Sequence, residues 1–167
     1  MSNFASTLLR LLDRLSPPET VSAHCDIPCG IYDPHAAQVA ALTVLRMDQL
    51  IAGLDKANAD LAGMQLSRYT QTKEGHAEIC KRELDILWHD YFRPEHLEKY
   101  PDLHTKFWNA TKLASRCKQN VDLAAAEDLL KATHEIAEIF WATKNVPTRK
   151  AGSNQTVGGE LVYVNNQ

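Results

Sequence analysis

The sequence predicts an all-α fold, an up-down four-helix bundle entered through an irregular N-terminal segment, and three observations carry that prediction. Apolar residues recur at helical spacing along successive stretches of the chain. The long stretches are rich in Ala, Leu, Glu and Lys, which favour helix. Only seven Gly and seven Pro punctuate 167 residues, a balance that suits helices better than a sheet sandwich. Hydrophobic residues make up 44%, enough to bury the core of one domain, and the 23% charged fraction suits a soluble globular protein.

Residues 1–15 can form a short amphipathic helix through Leu8, Leu9, Leu11, Leu12 and Leu15. Ser16-Pro17-Pro18 ends it, because proline lacks an amide donor and pushes its predecessor out of the helical region. Glu19 to Ala23 reads as an exposed linker open to proteases. His24 to Asp33 is irregular, broken by Pro28 and Gly30.

The first bundle helix starts with Asp33 as N-cap and Pro34 at the first helical position. It carries Val44, Met47, Ile51 and Leu54 as a core stripe and runs to about Asn58. A second covers roughly Leu61 to Phe92, with Cys80, Leu84, Leu87 and Tyr91 on one face and Lys73, Glu74, Lys81 and Glu83 on the others. Pro94 breaks it. A third runs from about Asp102 to Lys118 with Leu103, Phe107, Ala110 and Ala114 inward. The fourth, capped by Asn120 or Asp122, reaches Lys144 with Leu129, Ala132, Ile136 and Phe140 as its stripe. Short loops between them make neighbours antiparallel. Residues 145–167 read as a flexible C-terminal tail in which Leu161-Val162-Tyr163-Val164 can add a short strand. Trp88, Trp108 and Trp141 are expected to pack the bundle, and Cys80 and Cys117 to be structural thiols.

Several function classes drop out. A net charge of −3 with no basic run argues against a nucleic-acid partner. No apolar stretch approaches the roughly 18 residues of a membrane span. Val21-Ser22-Ala23 resembles a signal-peptide cleavage site, yet Arg10, Asp13 and Arg14 interrupt the apolar run and no basic n-region precedes it. Four cysteines, at 25, 29, 80 and 117, are too sparse for a secreted disulfide scaffold, so the expected location is cytoplasmic. In that setting the sequon at Asn154-Gln155-Thr156 means nothing.

His24-Cys25-x-x-x-Cys29 is the dense ligand cluster of the chain. On spacing alone a metal site competes with a Cys25–Cys29 disulfide, a structural zinc site and plain buried thiols. Cleavage before His24 changes the chemistry by freeing an α-amine. That nitrogen, the Cys25 amide nitrogen and the Cys25 sulfur then close two fused five-membered chelate rings. Cys29 fills the fourth corner of a plane, and the His24 imidazole can enter axially. A tetragonal N₂S₂ set suits nickel or copper, not tetrahedral zinc.

The eleven residues His24-Cys25-Asp26-Ile27-Pro28-Cys29-Gly30-Ile31-Tyr32-Asp33-Pro34 closely resemble the nickel hook that opens mature nickel-containing superoxide dismutases. Leu87-Trp88-His89-Asp90-Tyr91-Phe92, Glu98-Lys99-Tyr100-Pro101-Asp102-Leu103-His104 and Phe140-Trp141-Ala142-Thr143-Lys144 match in order, so the resemblance runs from His24 to about Lys144. It implies a precursor whose leader, residues 1–23, is removed by a processing peptidase, and a mature four-helix bundle over 24–144 that assembles as a homohexamer. It implies one nickel ion per subunit, held by His24, Cys25 and Cys29, with Asp26 and Tyr32 shaping the pocket that superoxide approaches. The implied reaction converts superoxide to oxygen and hydrogen peroxide, with nickel cycling between its divalent and trivalent states. Ala40 and His76 stand where the family places the Glu and Arg that orient the axial histidine, so the support of His24 departs from the pattern. The rival readings are a non-enzymatic nickel or copper storage protein using the same hook, and an exported disulfide-bonded helical domain.

Overall fold

The computed structural model describes residues 29–165. The expected leader, the expected ligands His24 and Cys25, and Asp26, expected to shape the pocket, lie outside the described residues. Five α-helices follow: α1 His35–Ala52, α2 Ala59–Ile86, α3 Pro94–Lys99, α4 Leu103–Gln119 and α5 Leu123–Thr143, with a π-helical turn at Leu87–Tyr91 between α2 and α3. The four long helices form a closed ring in which α1 packs on α2, α2 on α4, α4 on α5, and α5 back on α1. That is the connectivity of an up-down bundle. Among the described residues no helix is long and apolar enough to cross a membrane.

Helix boundaries follow local chemistry. Asp33 accepts the His35 amide hydrogen at 2.7 Å just ahead of α1, whose N-cap is Pro34, one residue later than the expected Asp33. The helix stops at Ala52, short of the expected Asn58. Gly53 closes the last turn, its N–H donating to the Gln49 carbonyl, and Asn58 is instead the N-cap of α2, accepting from the Leu61 amide at 3.1 Å. Asp122 caps α5 in the same way, accepting from Ala125 at 3.0 Å. Between the second and third predicted helices, where the break at Pro94 was expected, the chain forms α3, started by Pro94 at a position where its missing amide costs nothing.

Small residues let the helices approach closely. Ala37, Ala40 and Ala41 of α1, Ala77 and Cys80 of α2, and Ala110, Ala114 and Cys117 of α4 are buried around Leu84, Leu103, Phe107, Leu129, Ile136 and Phe140. The α1 stripe is accordingly rotated from the expected one: Ala37, Ala41, Val44 and Asp48 face inward, and Met47 and Ile51 are half-buried. Burial pushes the Cys80 thiol up to about 12 and the Cys117 thiol up to about 11. Both are structural thiols, because the nucleophilic thiolate is scarce at such values.

Three expectations are corrected. Lys73, read as surface decoration, is 2% exposed; it pairs with the fully buried Asp48 at 3.7 Å and donates to the Asn120 carbonyl. Trp108, expected in the core, is 56% exposed, with Lys112 Nζ 4.5 Å from its ring centroid. Residues 145–165, expected as a flexible tail, form an antiparallel hairpin, β1 Thr148–Gly152 paired with β2 Glu160–Val164. Leu161 and Val162 bury against the bundle as the apolar run suggested, and Gly158 and Gly159 supply the left-handed backbone of the return. Gln38, wholly buried in α1, holds the hairpin by both ends of its amide: Val162 N–H donates to Oε1 at 2.7 Å, and Nε2 donates to the Val162 carbonyl at 3.3 Å.

Gln38→Ala would leave both Val162 backbone groups without these partners, at a cost of about 1–3 kcal/mol each where they stay dry. The expected outcome is undocking of the hairpin. Amide hydrogen exchange should accelerate across 148–164 while α2 and α4 keep their protection.

Candidate metal centre

The described chain begins at the second half of the predicted hook. Cys29 is exposed, and its Sγ accepts the Ile31 amide hydrogen at 3.5 Å. Gly30 turns the backbone at φ +71°, a left-handed conformation that glycine adopts without strain, with open space where a Cβ would stand. Ile31 is exposed, and Tyr32 then turns inward to stand 5.7 Å, ring centroid to centroid, from Tyr91.

That pair marks a cleft of about 390 Å³. Gly30 and Tyr32 form one side, Asp90 and Tyr91 of the π-helical turn the floor, and Arg93, Glu95 and His96 around the start of α3 the other side. The π-helical turn Leu87–Tyr91 ends α2 at this cleft, and such turns occur frequently at functional sites. Tyr91 is then enclosed. His96 stacks on it at 5.6 Å and 15°, Phe140 lies at 4.4 Å, and Lys144 Nζ stands 5.3 Å above the ring. The Arg93 amide donates to His96 Nδ1 at 3.1 Å, so a neutral ring carries its proton on Nε2. Among the residues lining the cleft, Arg93 sets a cation beside the carboxylates of Asp90 and Glu95, and Lys144 stands outside that lining, over the Tyr91 ring.

A larger cleft of about 490 Å³ separates α1 from the hairpin. Neither Gly30 nor Tyr32 lies in its wall, whereas both line the smaller cleft, which is therefore the one that adjoins the predicted hook.

Among the described residues, no group of three or more His, Cys, Asp or Glu side chains could hold a metal ion. Cys29 is the member of the predicted donor set that falls within them, an exposed thiol whose Sγ accepts from the Ile31 N–H and reaches the Ile31 carbonyl. Ala40 is buried and His76 turns its Nδ1 to the Thr72 carbonyl at 2.9 Å; neither lines the cleft. Sequence reasoning gave no role to Arg93, His96, Thr143 or Lys144. Three of these sit in or next to segments that carry the family resemblance, which was the available signal.

The model of the family described as nickel-containing superoxide dismutase matches residues 19–144. The chain belongs to the nickel-containing superoxide dismutase family. It is 42% identical over 135 residues to the nickel superoxide dismutase of Streptomyces seoulensis, covering 80% of this chain and 98% of that one. The corresponding enzyme of Streptomyces coelicolor is 41% identical over the same shares. Among solved structures, native nickel superoxide dismutase superposes with a TM-score of 0.65 at 39% identity, covering 72% of this chain and 99% of that one. A form with its nickel ligation in the oxidized state gives 0.65 at 43% identity, over 73% and 99%. The chain is therefore an oxidoreductase that disproportionates superoxide with nickel as cofactor, on the helical bundle that its sequence predicts. A storage role for the hook is not favoured. The hairpin at 148–164 lies beyond the matched residues.

Proposed function

We propose that the nickel superoxide dismutase activity resides at the N-terminus created by removal of residues 1–23. In this reading His24 would hold the metal through its α-amine and imidazole, Cys25 through its amide nitrogen and thiolate, and Cys29 through the second thiolate. The chemistry that bound nickel supplies is one-electron exchange between its divalent and trivalent states. Two superoxide ions and two protons give one oxygen and one hydrogen peroxide. The protein's share is to admit a small anion, exclude larger ones and deliver protons.

The observation that carries this reading is the course of Cys29 to Tyr32. Two residues separate an exposed thiol from a tyrosine that lines a cleft in which Arg93 stands among the carboxylates of Asp90 and Glu95. Asp26 and Tyr32 shape the approach to the metal, and Tyr32 is the proton source beside water. The working unit is 24–144, and a processing peptidase acts on the precursor. A homohexamer in the cytoplasm fits the exposed Leu61, Met64 and Ile79 on α2, apolar surface that assembly would cover, and the charges Arg10, Asp13 and Arg14 that interrupt the N-terminal apolar run.

Mass spectrometry of protein from its native cells should find His24 as the first residue. Recombinant chains beginning at Met1 and at His24, each loaded with nickel, provide the functional arm. Turnover of superoxide and a rhombic signal of trivalent nickel are expected from the second chain alone. Full activity of a chain that retains its leader would overturn the proposal.

A further inference from the structure

Tyr91 and Tyr32 both wall the cleft, and either phenol is a conceivable proton donor. The hydrogen bonds at the end of α5 separate them. The Tyr91 hydroxyl lies 2.6 Å from Thr143 Oγ1, a contact in which either oxygen can donate. Thr143 has a single hydroxyl proton, and it donates that proton to the Phe140 carbonyl, also at 2.6 Å. A carbonyl can only accept. The Thr143 oxygen is left with lone pairs, so the proton between the two hydroxyls belongs to Tyr91.

We infer that Thr143 is a positioning residue that fixes Tyr91 as a hydrogen-bond donor away from the cleft, so that Tyr91 cannot be the phenol that protonates reduced dioxygen. Thr143 does not line the cleft, and the bond therefore draws the Tyr91 proton out of it toward the bundle. The ring is held by independent contacts. His96 stacks on it, Phe92 meets it edge-on at 5.1 Å, and Lys144 stands over it. What Tyr91 presents to Tyr32 is a ring at 5.7 Å and the remaining acceptor capacity of its oxygen. The two tyrosines thus have separate tasks: Tyr91 sets the position of Tyr32, and phenolic proton delivery, where it occurs, falls to Tyr32. The inference rests on the reading above that the anion approaches through this cleft.

The hydrogen bond is tested first in metal-free full-length protein. The tyrosine ring doublet in the Raman spectrum distinguishes donors from acceptors, and subtracting the spectrum of Tyr91→Phe isolates Tyr91. A donor signature is expected in the parent chain, lost in Thr143→Val and restored in Thr143→Ser. A Tyr91 signal unchanged by Thr143→Val overturns the assignment.

Kinetics of the nickel-loaded chain starting at His24 test the consequence. Thr143→Val and Tyr91→Phe should each lower kcat/KM by about five-fold, as expected for one lost hydrogen bond, and the double variant should lose no more than either. A general acid contributes roughly 10²–10⁴-fold. A loss of about 100-fold or more in Tyr91→Phe, with Thr143→Val near the parent, would make Tyr91 the donor and overturn the inference. Raman changes as expected, with turnover unaltered in all three variants, would overturn the proposed approach route and with it the division of tasks, while the Tyr91–Thr143 bond itself stood.

Discussion

Lys73→Met is expected to destabilise the protein by about 3–5 kcal/mol, the usual result of removing one partner from a buried ion pair. Asp48 is fully buried in α1 and Lys73 is 2% exposed in α2. Their charged atoms lie 3.7 Å apart, and the surrounding bonds tie three parts of the bundle together. Lys73 donates to the Asn120 carbonyl, and the Asp122 amide donates to Asp48 at 3.3 Å, so the α4–α5 connection is pinned to the α1–α2 pair. Burial raises the Asp48 carboxyl above its ordinary range, with the Lys73 charge working against that rise. A carboxyl raised in the folded state binds its proton more tightly there than in the unfolded chain. Its contribution to stability is therefore present at low pH and lost as pH rises through the folded value. Without Lys73 the rise has lost its main opponent. The Lys73→Met deficit should be larger at neutral pH than near pH 4, and Asp48→Asn in the same chain should recover part of it. Urea titrations at both pH values measure this, and equal deficits at the two would contradict the electrostatic account.

This pair also shows why part of the structure escaped sequence reading. Periodicity located all four long helices, because Leu84 and Leu87, Leu103 and Phe107, and Ile136 and Phe140 recur at helical spacing and are all buried. The same rule puts charged residues outside, so Lys73 reads as solvated when its partner, on another helix, cannot be inferred from spacing. The α1 stripe shifted for a related reason: its inner face is largely alanine, which carries little hydrophobic signal, beside the buried polar residues Gln38 and Asp48. In the hairpin, Leu161 to Val164 announced a strand by composition. Its partner Thr148–Gly152 contains Arg149, Lys150 and Gly152, residues with weak strand preference, and is recruited by pairing. Of the candidate site, the proposed hook could be suggested from sequence because its candidate ligands are close together in the chain. The wall formed by Tyr91 and His96 was not, since the π-helical turn and the start of α3 bring it together, and Thr143, which holds Tyr91 from outside the cleft, comes from the end of α5.

Cys29→Ser should have the opposite profile from Lys73→Met, with metal binding and activity lost and the fold kept. Serine is nearly isosteric, and the Cys29 side chain is exposed, with the backbone of Ile31 as its neighbour, so the thermal midpoint of the metal-free chain should stay close to the parent's. Under the proposed ligation the same change replaces one of two thiolates with a hydroxyl that stays protonated at neutral pH. Loss of an outer partner alone typically costs 10–100-fold in metal affinity, so loss of a ligand is expected to cost about 100-fold or more. Nickel titration of the chain beginning at His24 checks affinity, and superoxide turnover should fall with it. The parent should also bind nickel more weakly as pH falls, because each thiolate must surrender a proton before it can coordinate. In Cys29→Ser one such proton is missing, and the slope of affinity against pH should become shallower by about one proton per metal. An unchanged slope, or full nickel affinity in the serine variant, would remove Cys29 from the ligand set, and with it the link between the cleft at Tyr32 and the metal.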